Sequence, residues 1–243
     1  MLTQNLLITK MKLAIILTGH ARNYQQTYQA IKHWLLDHHD VDIYISTWSV
    51  DSPGRGSCGN FDLTPVDLEP VKSLFQPRAM WVEDHVQHYA NKVPPIDLNN
   101  SPVVPEIISF AESVEWGSFW VERIRDMYAT MKRGYNLIEN PAEYDLVMRL
   151  RFDAVLKRCT LKNTHDIVFP VIRDGEVDAE YYSDWTAYGT PEAMRKYCTL
   201  GDHMESIYRN DNINIGHADK LLKHYVHKEN LSVLVDNDYA YYH

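Results

Sequence analysis

The run KLAIILT, Lys12–Thr18, is apolar without interruption and stops at Gly19. A segment with no polar face suits a strand covered on both sides of a sheet. Residues 23–38 follow, with Tyr24, Tyr28, Ile31, Leu35 and Leu36 at near-helical spacing. Residues 41–47 (VDIYIST) then alternate as a second strand. Strand, helix and strand in such quick succession make a βαβ unit, and such units build parallel sheets. The expected class is therefore α/β, with a mixed, mainly parallel, Rossmann-like sheet flanked by helices.

The rest of the chain is read against that start. Residues 49–60 are a loop rich in Ser, Gly and Asp, 64–74 a short helix, and 79–82 a third strand. Residues 86–114 hold four prolines and several asparagines and form the least regular stretch. Residues 118–138 are the clearest helix, stopped by Asn140-Pro141. Residues 144–156 (YDLVMRLRFDAVL) read as one strand and 167–171 as another. Thr190 is placed to cap a helix at 191–199 with Pro at its first position. Residues 218–227 read as a helix and 231–235 as a late strand. Residues 1–11 are expected to be an N-terminal extension, and 12–243 a single domain.

Composition narrows the function. The 24 basic against 33 acidic residues give a net charge of −9, which argues against a protein built to grip nucleic acid. Cys58, Cys159 and Cys198 offer neither a disulfide framework nor CxxC metal spacing, so a reducing, cytoplasmic setting is expected. No apolar run reaches the roughly 20 residues of a membrane span. The oligomeric state stays open.

Three places carry possible chemistry. At the first, Thr18, Gly19, His20 and Arg22 sit where strand one runs into a helix, the position at which open α/β sheets take ligands. Gly19 permits close backbone approach, and Arg22 suits a phosphate. The sequence is neither GxGxxG nor a P-loop, and an ordinary turn bearing a surface arginine reads equally well. At the second, Arg149, Arg151 and Asp153 alternate along a strand and share a face. They form either a diphosphate and divalent-metal site, with Asp153 on the ion, or an ion-pair network with Asp145 or Glu143. At the third, residues 181–189 (YYSDWTAYG) combine aromatic faces with polar neighbours, which suits sugar rings. Asp184 there is a candidate general base or a carboxylate bonded to backbone, and Trp185 and Tyr188 are candidate acceptor contacts. Among the twelve histidines no HExxH occurs; His217, ahead of the 218–227 helix, is the one to watch. No GxSxG motif supports a hydrolase.

Taken together these segments resemble a family of viral and bacterial surface-polysaccharide glycosyltransferases. The opening matches in Gly19, Arg22, Asp42, Thr47 and Trp48, residues 144–156 in the Y-D-x-x-x-R-x-R-x-D strand, and the third segment in Asp184, Ala187, Gly189, Glu192 and Met194. The resemblance spans residues 12 to about 197. It implies a GT-A-like fold, a nucleotide-sugar donor, a glycan or other hydroxyl acceptor, and a divalent ion, manganese or magnesium. Donor binding would fall to Thr18, Gly19, His20, Arg22, Trp48, Arg149 and Arg151, metal binding to Asp153, and acceptor contact to Trp185 and Tyr188. Arg151 stands where that family's Asp-x-Asp motif has its first Asp, so an arginine takes over part of a metal's charge or Asp153 binds the ion with waters and phosphates. The alternatives are a non-catalytic nucleotide- or glycan-binding module and a nucleotidyltransferase, the latter normally needing paired carboxylates for two metals.

Overall fold

The computed structural model describes residues 10–51, 64–84, 117–171, 182–211, 213 and 218–242. The proposed N-terminal extension up to residue 9, the whole of the Pro-rich 86–114 stretch, Cys58, Tyr181 and His217 lie outside the described residues.

β1 (Lys12–Thr18) is the centre of the molecule, and residues 13–17 are at most 2% exposed. It is followed by α1 (Tyr24–Ile31), which loosens into a π-helical turn at Lys32–Leu36, and by β2 (Asp40–Trp48), parallel to β1. β3 (Val50–Asp51) and β4 (Thr64–Pro65) form a small separate ribbon. α2 (Glu69–Phe75) leads to β5 (Ala79–Glu83), which pairs with β2. The long α3 (Gly117–Asn136) then crosses to β6 (Leu146–Arg151), parallel to β1 on its other side. β7 (Val155–Arg158), β8 (Ile167–Val171) and β9 (Thr186–Gly189) follow, then α4 (Pro191–Thr199), α5 (Met204–Asp211), α6 (Ala218–Lys228) and β10 (Val233–Tyr242).

The large sheet has eight strands in the order β5-β2-β1-β6-β9-β8-β10-β7. β9 runs antiparallel to both neighbours, and β7 is antiparallel to β10. The fold is thus mixed α/β with a largely parallel sheet between helices, as the opening βαβ unit implies. Alternation along the buried strands sorts the core in two. Leu13, Ile15, Leu17, Met148 and Leu150 pack with α1 and α2, whereas Ala14, Ile16 and Val147 pack with α3 to α6. Gly134 lets α3 lie directly on β1: a Cβ there would collide with Ile16 Cγ2 and stand 3.3 Å from Ser46 Cβ. Among the described residues no helix is long and apolar enough to cross a membrane.

Several local expectations need correction. Residues 144–156 are two strands, because the chain turns at 152–154 with Ala154 N–H donating to Arg151 O at 3.1 Å. The short helix begins at Glu69 rather than 64, since Thr64 and Pro65 pair with β3. Part of the aromatic segment 181–189 is a core strand, β9. The last strand is longer than 231–235 and changes register between Asp236 and Ala240. The Thr190 cap is present, its Oγ1 accepting from Ala193 N–H at 3.3 Å.

Candidate functional site

Reading the sheet from β5 to β6, each strand follows the next in the chain until β1, where the order reverses to β6. In open α/β sheets the crevice beyond the carboxyl ends of the two strands at such a reversal receives ligands. The residues at that end are Thr18 to Arg22 after β1, Trp48 closing β2, and Arg151 to Asp153 after β6.

The local backbone is pinned there. Gly19 has φ +91°, a conformation that a residue with a Cβ rarely adopts, and Thr47 Oγ1 donates to its carbonyl at 2.7 Å. Arg22 N–H donates to His20 O at 2.7 Å, and α1 begins two residues later. The turn after β6 is latched from two sides: Phe152 N–H donates to Thr18 O at 3.2 Å, and Thr27 Oγ1 donates to Phe152 O at 2.6 Å.

The three arginines have different surroundings. Arg149 is 1% exposed; its Nε donates to Thr18 Oγ1 at 2.8 Å and its Nη1 to the Asp184 carbonyl, so it ties β1 to the segment before β9. Arg151 clasps Asp153 with both arms, Nε to Oδ1 at 2.9 Å and Nη2 to Oδ2 at 2.8 Å. Its guanidinium lies over the Trp185 ring, 4.9 Å from the centroid. Arg22 approaches the same carboxylate from the other strand, Nη2 standing 3.7 Å from Asp153 Oδ2. The ion-pair partner of Arg151 is therefore Asp153. Asp145 and Glu143 serve Lys12 instead, accepting from its backbone N–H and its ammonium respectively.

Three further candidate residues are held by contacts of their own. Trp48 stacks with His20 at 6.3 Å between centroids, and the Arg133 guanidinium of α3 stands 5.5 Å from the Trp48 ring. His20 Nδ1 meets the Val50 carbonyl at 2.9 Å. Tyr188 is fully buried in β9, and its hydroxyl accepts from Lys162 N–H at 3.1 Å.

Beside Asp184 lies a carboxylate that sequence reasoning missed. Asp219, in the first turn of α6, receives the backbone N–H of Asp184. Burial, with the neighbouring Asp184 carboxyl adding to it, pushes Asp219 up to about 7. Burial also raises the Asp184 carboxyl, against the pull of Arg151 and Arg149. No spacing rule links residues 184 and 219, and an acid opening a helix ordinarily reads as a charge on the helix dipole. A carboxyl raised on folding binds a proton in the native state that it lacks when unfolded. Its contribution is complete below the ordinary value near 3.8 and disappears as pH climbs through about 7. Asp219→Asn should therefore flatten the fall in stability between those limits and gain about 2 kcal/mol at neutral pH, after discounting for partial exposure. Urea unfolding of both proteins at acidic and neutral pH measures it; parallel pH profiles would remove Asp219 from the buried pair.

Asp153 is the carboxylate expected to hold a divalent ion. Such ions take oxygen ligands in numbers, and both Asp153 oxygens are already clasped by Arg151. Among the described residues no three His, Cys, Asp or Glu side chains stand together as metal ligands would. Among the described residues no set of oxygen ligands of the kind a divalent cation takes is assembled around Asp153. Compared with known proteins, the chain matches no family model and no curated protein.

Proposed function

We propose that the chain is a glycosyltransferase that moves a sugar from a nucleotide-sugar donor to a hydroxyl of a glycan or similar acceptor, on a sheet of GT-A-like type. One observation carries the reading: Arg22 and Arg151 converge on Asp153 at the β1/β6 reversal, with the Trp185 ring against Arg151. Phosphate oxygens favour paired guanidiniums, and flat aromatic rings favour a base or the C–H face of a sugar. The antiparallel β9 set among parallel strands supports the finer fold assignment.

In this reading the nucleoside diphosphate lies against Arg22 and Arg151. The acceptor hydroxyl passes its proton to Asp184 as its oxygen attacks the anomeric carbon. The bond from that carbon to the β-phosphate oxygen breaks, and the arginines meet the charge that gathers on the leaving group. A carboxyl raised by burial holds a proton better than a solvated one, which suits Asp184 as acceptor of that proton.

A thermal-shift panel of UDP, GDP, TDP and CMP, with their common sugars, is the first test. One nucleoside diphosphate should raise Tm selectively, by about 2.7 kcal/mol of added stability at a hundredfold excess over Kd. Incubation with the matching nucleotide sugar and an acceptor should then release nucleotide, and Asp184→Asn should abolish that release with the fold intact. Binding without release would make the chain a nucleotide- or glycan-binding module. No shift with any nucleotide would sink the donor site.

A further inference from the structure

The site's cations and its carboxylate are layered. The Arg22 and Arg151 side chains keep 27% and 24% of their surface open, whereas Asp153 keeps 10%. An incoming group meets guanidinium first and carboxylate second. Asp153 Oδ2 lies 2.8 Å from the Arg151 guanidinium and 3.7 Å from that of Arg22, so a single carboxylate draws together a cation at the end of β6 and one in the turn after β1. Arg151, with the buried Arg149 of the same strand, also acts on the Asp184 carboxyl. Arg151 is further fixed by Trp185, and its backbone N–H donates to Trp185 O at 3.1 Å.

A divalent ion entering this arrangement would have to displace the Arg151 fork from Asp153 and would find two guanidiniums repelling it. A diphosphate instead meets guanidinium charges of the opposite sign. Guanidiniums bind phosphate oxygens in pairs, and anchoring in place lowers the entropy lost on binding. We infer that the site holds a diphosphate directly through Arg22 and Arg151, with Asp153 as the spacer between them and no divalent ion in the contact. This rests on the donor-site reading above and names the chemistry that would replace a metal.

Inorganic pyrophosphate is the probe, titrated calorimetrically into the whole chain in EDTA and again in manganese. Binding should appear in EDTA, with no manganese required. Arg151→Gln should weaken binding by about tenfold or more, since a paired charged contact is lost. Asp153→Asn should tighten it by about threefold to tenfold, because a negative charge beside the anion is removed. A metal ligand at Asp153 would give the opposite sign, which makes this variant decisive. Melting curves identify variants that fail to fold, and Arg151→Lys, which keeps the charge without the fork, replaces Arg151→Gln in that case. Binding that appears only with manganese and vanishes in Asp153→Asn would overturn the inference and leave the donor site standing. Absence of binding by pyrophosphate and by every nucleoside diphosphate, with and without manganese, would remove both.

Discussion

Gly189→Ala should cost about 3 kcal/mol or more of stability, the upper range for forcing a methyl group into packed structure. A Cβ at this position would overlap the Asp166 carbonyl oxygen and stand 2.9 Å from the Ile167 Cα. Both obstacles are backbone, so no rotamer change relieves the clash. The strand itself must move, and its neighbours resist: Gly189 is in register with Val147 of β6 on one side and Ile167 of β8 on the other. The Asp166 carbonyl is also committed, accepting from Thr190 N–H at 2.9 Å. β9 is the sole link between the parallel half of the sheet and the β8-β10-β7 half among the described residues. Pushing it aside therefore loosens the joint between the halves. Gly134→Ala is the natural comparison, because its nearest obstacle is a side-chain methyl, Ile16 Cγ2, rather than backbone, and it should cost about 1–2 kcal/mol. Urea unfolding of the two variants side by side measures the difference. A Gly189→Ala midpoint equal to the parent's, or a larger loss in Gly134→Ala, would refute the argument.

The contrast between these two glycines shows which parts of the fold were legible. β1, α1 and β2 are written locally: an apolar run, a 3.6-residue period and a two-residue period occur in order, and the parallel pair follows. The Thr190 cap and Pro191 likewise need only their neighbours. β9 was hidden because Thr186, Ala187, Tyr188 and Gly189 carry no alternation that survives burial on both faces. Its polar and aromatic letters read as a binding loop, yet Tyr188 is satisfied by a distant backbone N–H. The break at 152–154 was hidden for another reason. Alternation of Arg149, Arg151 and Asp153 fits a continuous strand, whereas the chain turns through the Ala154 bond to Arg151 and is held by Thr27 and Thr18 from elsewhere in the fold. The juxtaposition of Arg22 with Asp153 depends on β6 lying beside β1, a fact of topology that no spacing encodes. Asp219 depends on tertiary contact entirely.

Arg149→Met should lose about 3–5 kcal/mol of stability, at about 1.5–3 kcal/mol for each hydrogen bond made by a charged group. The guanidinium holds the Thr18 hydroxyl and the Asp184 carbonyl, and its charge draws down the Asp184 carboxyl. Methionine fills much of the volume but offers neither donor, so two buried acceptors lose a partner and the Asp184 carboxyl rises further. A higher native value extends the pH range over which the folded state binds the extra proton, so the variant's stability should fall more steeply from acid to neutral pH than the parent's. Asp184→Asn in the same chain removes the unpaired acid. The double variant should recover part of the loss and regain the parent's shallower pH profile. Arg149→Lys separates charge from geometry: it keeps the positive charge and should cost only about 1–2 kcal/mol, the price of one poorly made hydrogen bond. Because Arg149 sets the end of β1 against the segment carrying Trp185, even this variant should weaken pyrophosphate binding by about tenfold while remaining folded. Full binding in Arg149→Lys would mean that the cluster is positioned by Arg151 and Asp153 alone. Equal pH profiles in Arg149→Met and the parent would mean that Arg149 does not govern the Asp184 carboxyl.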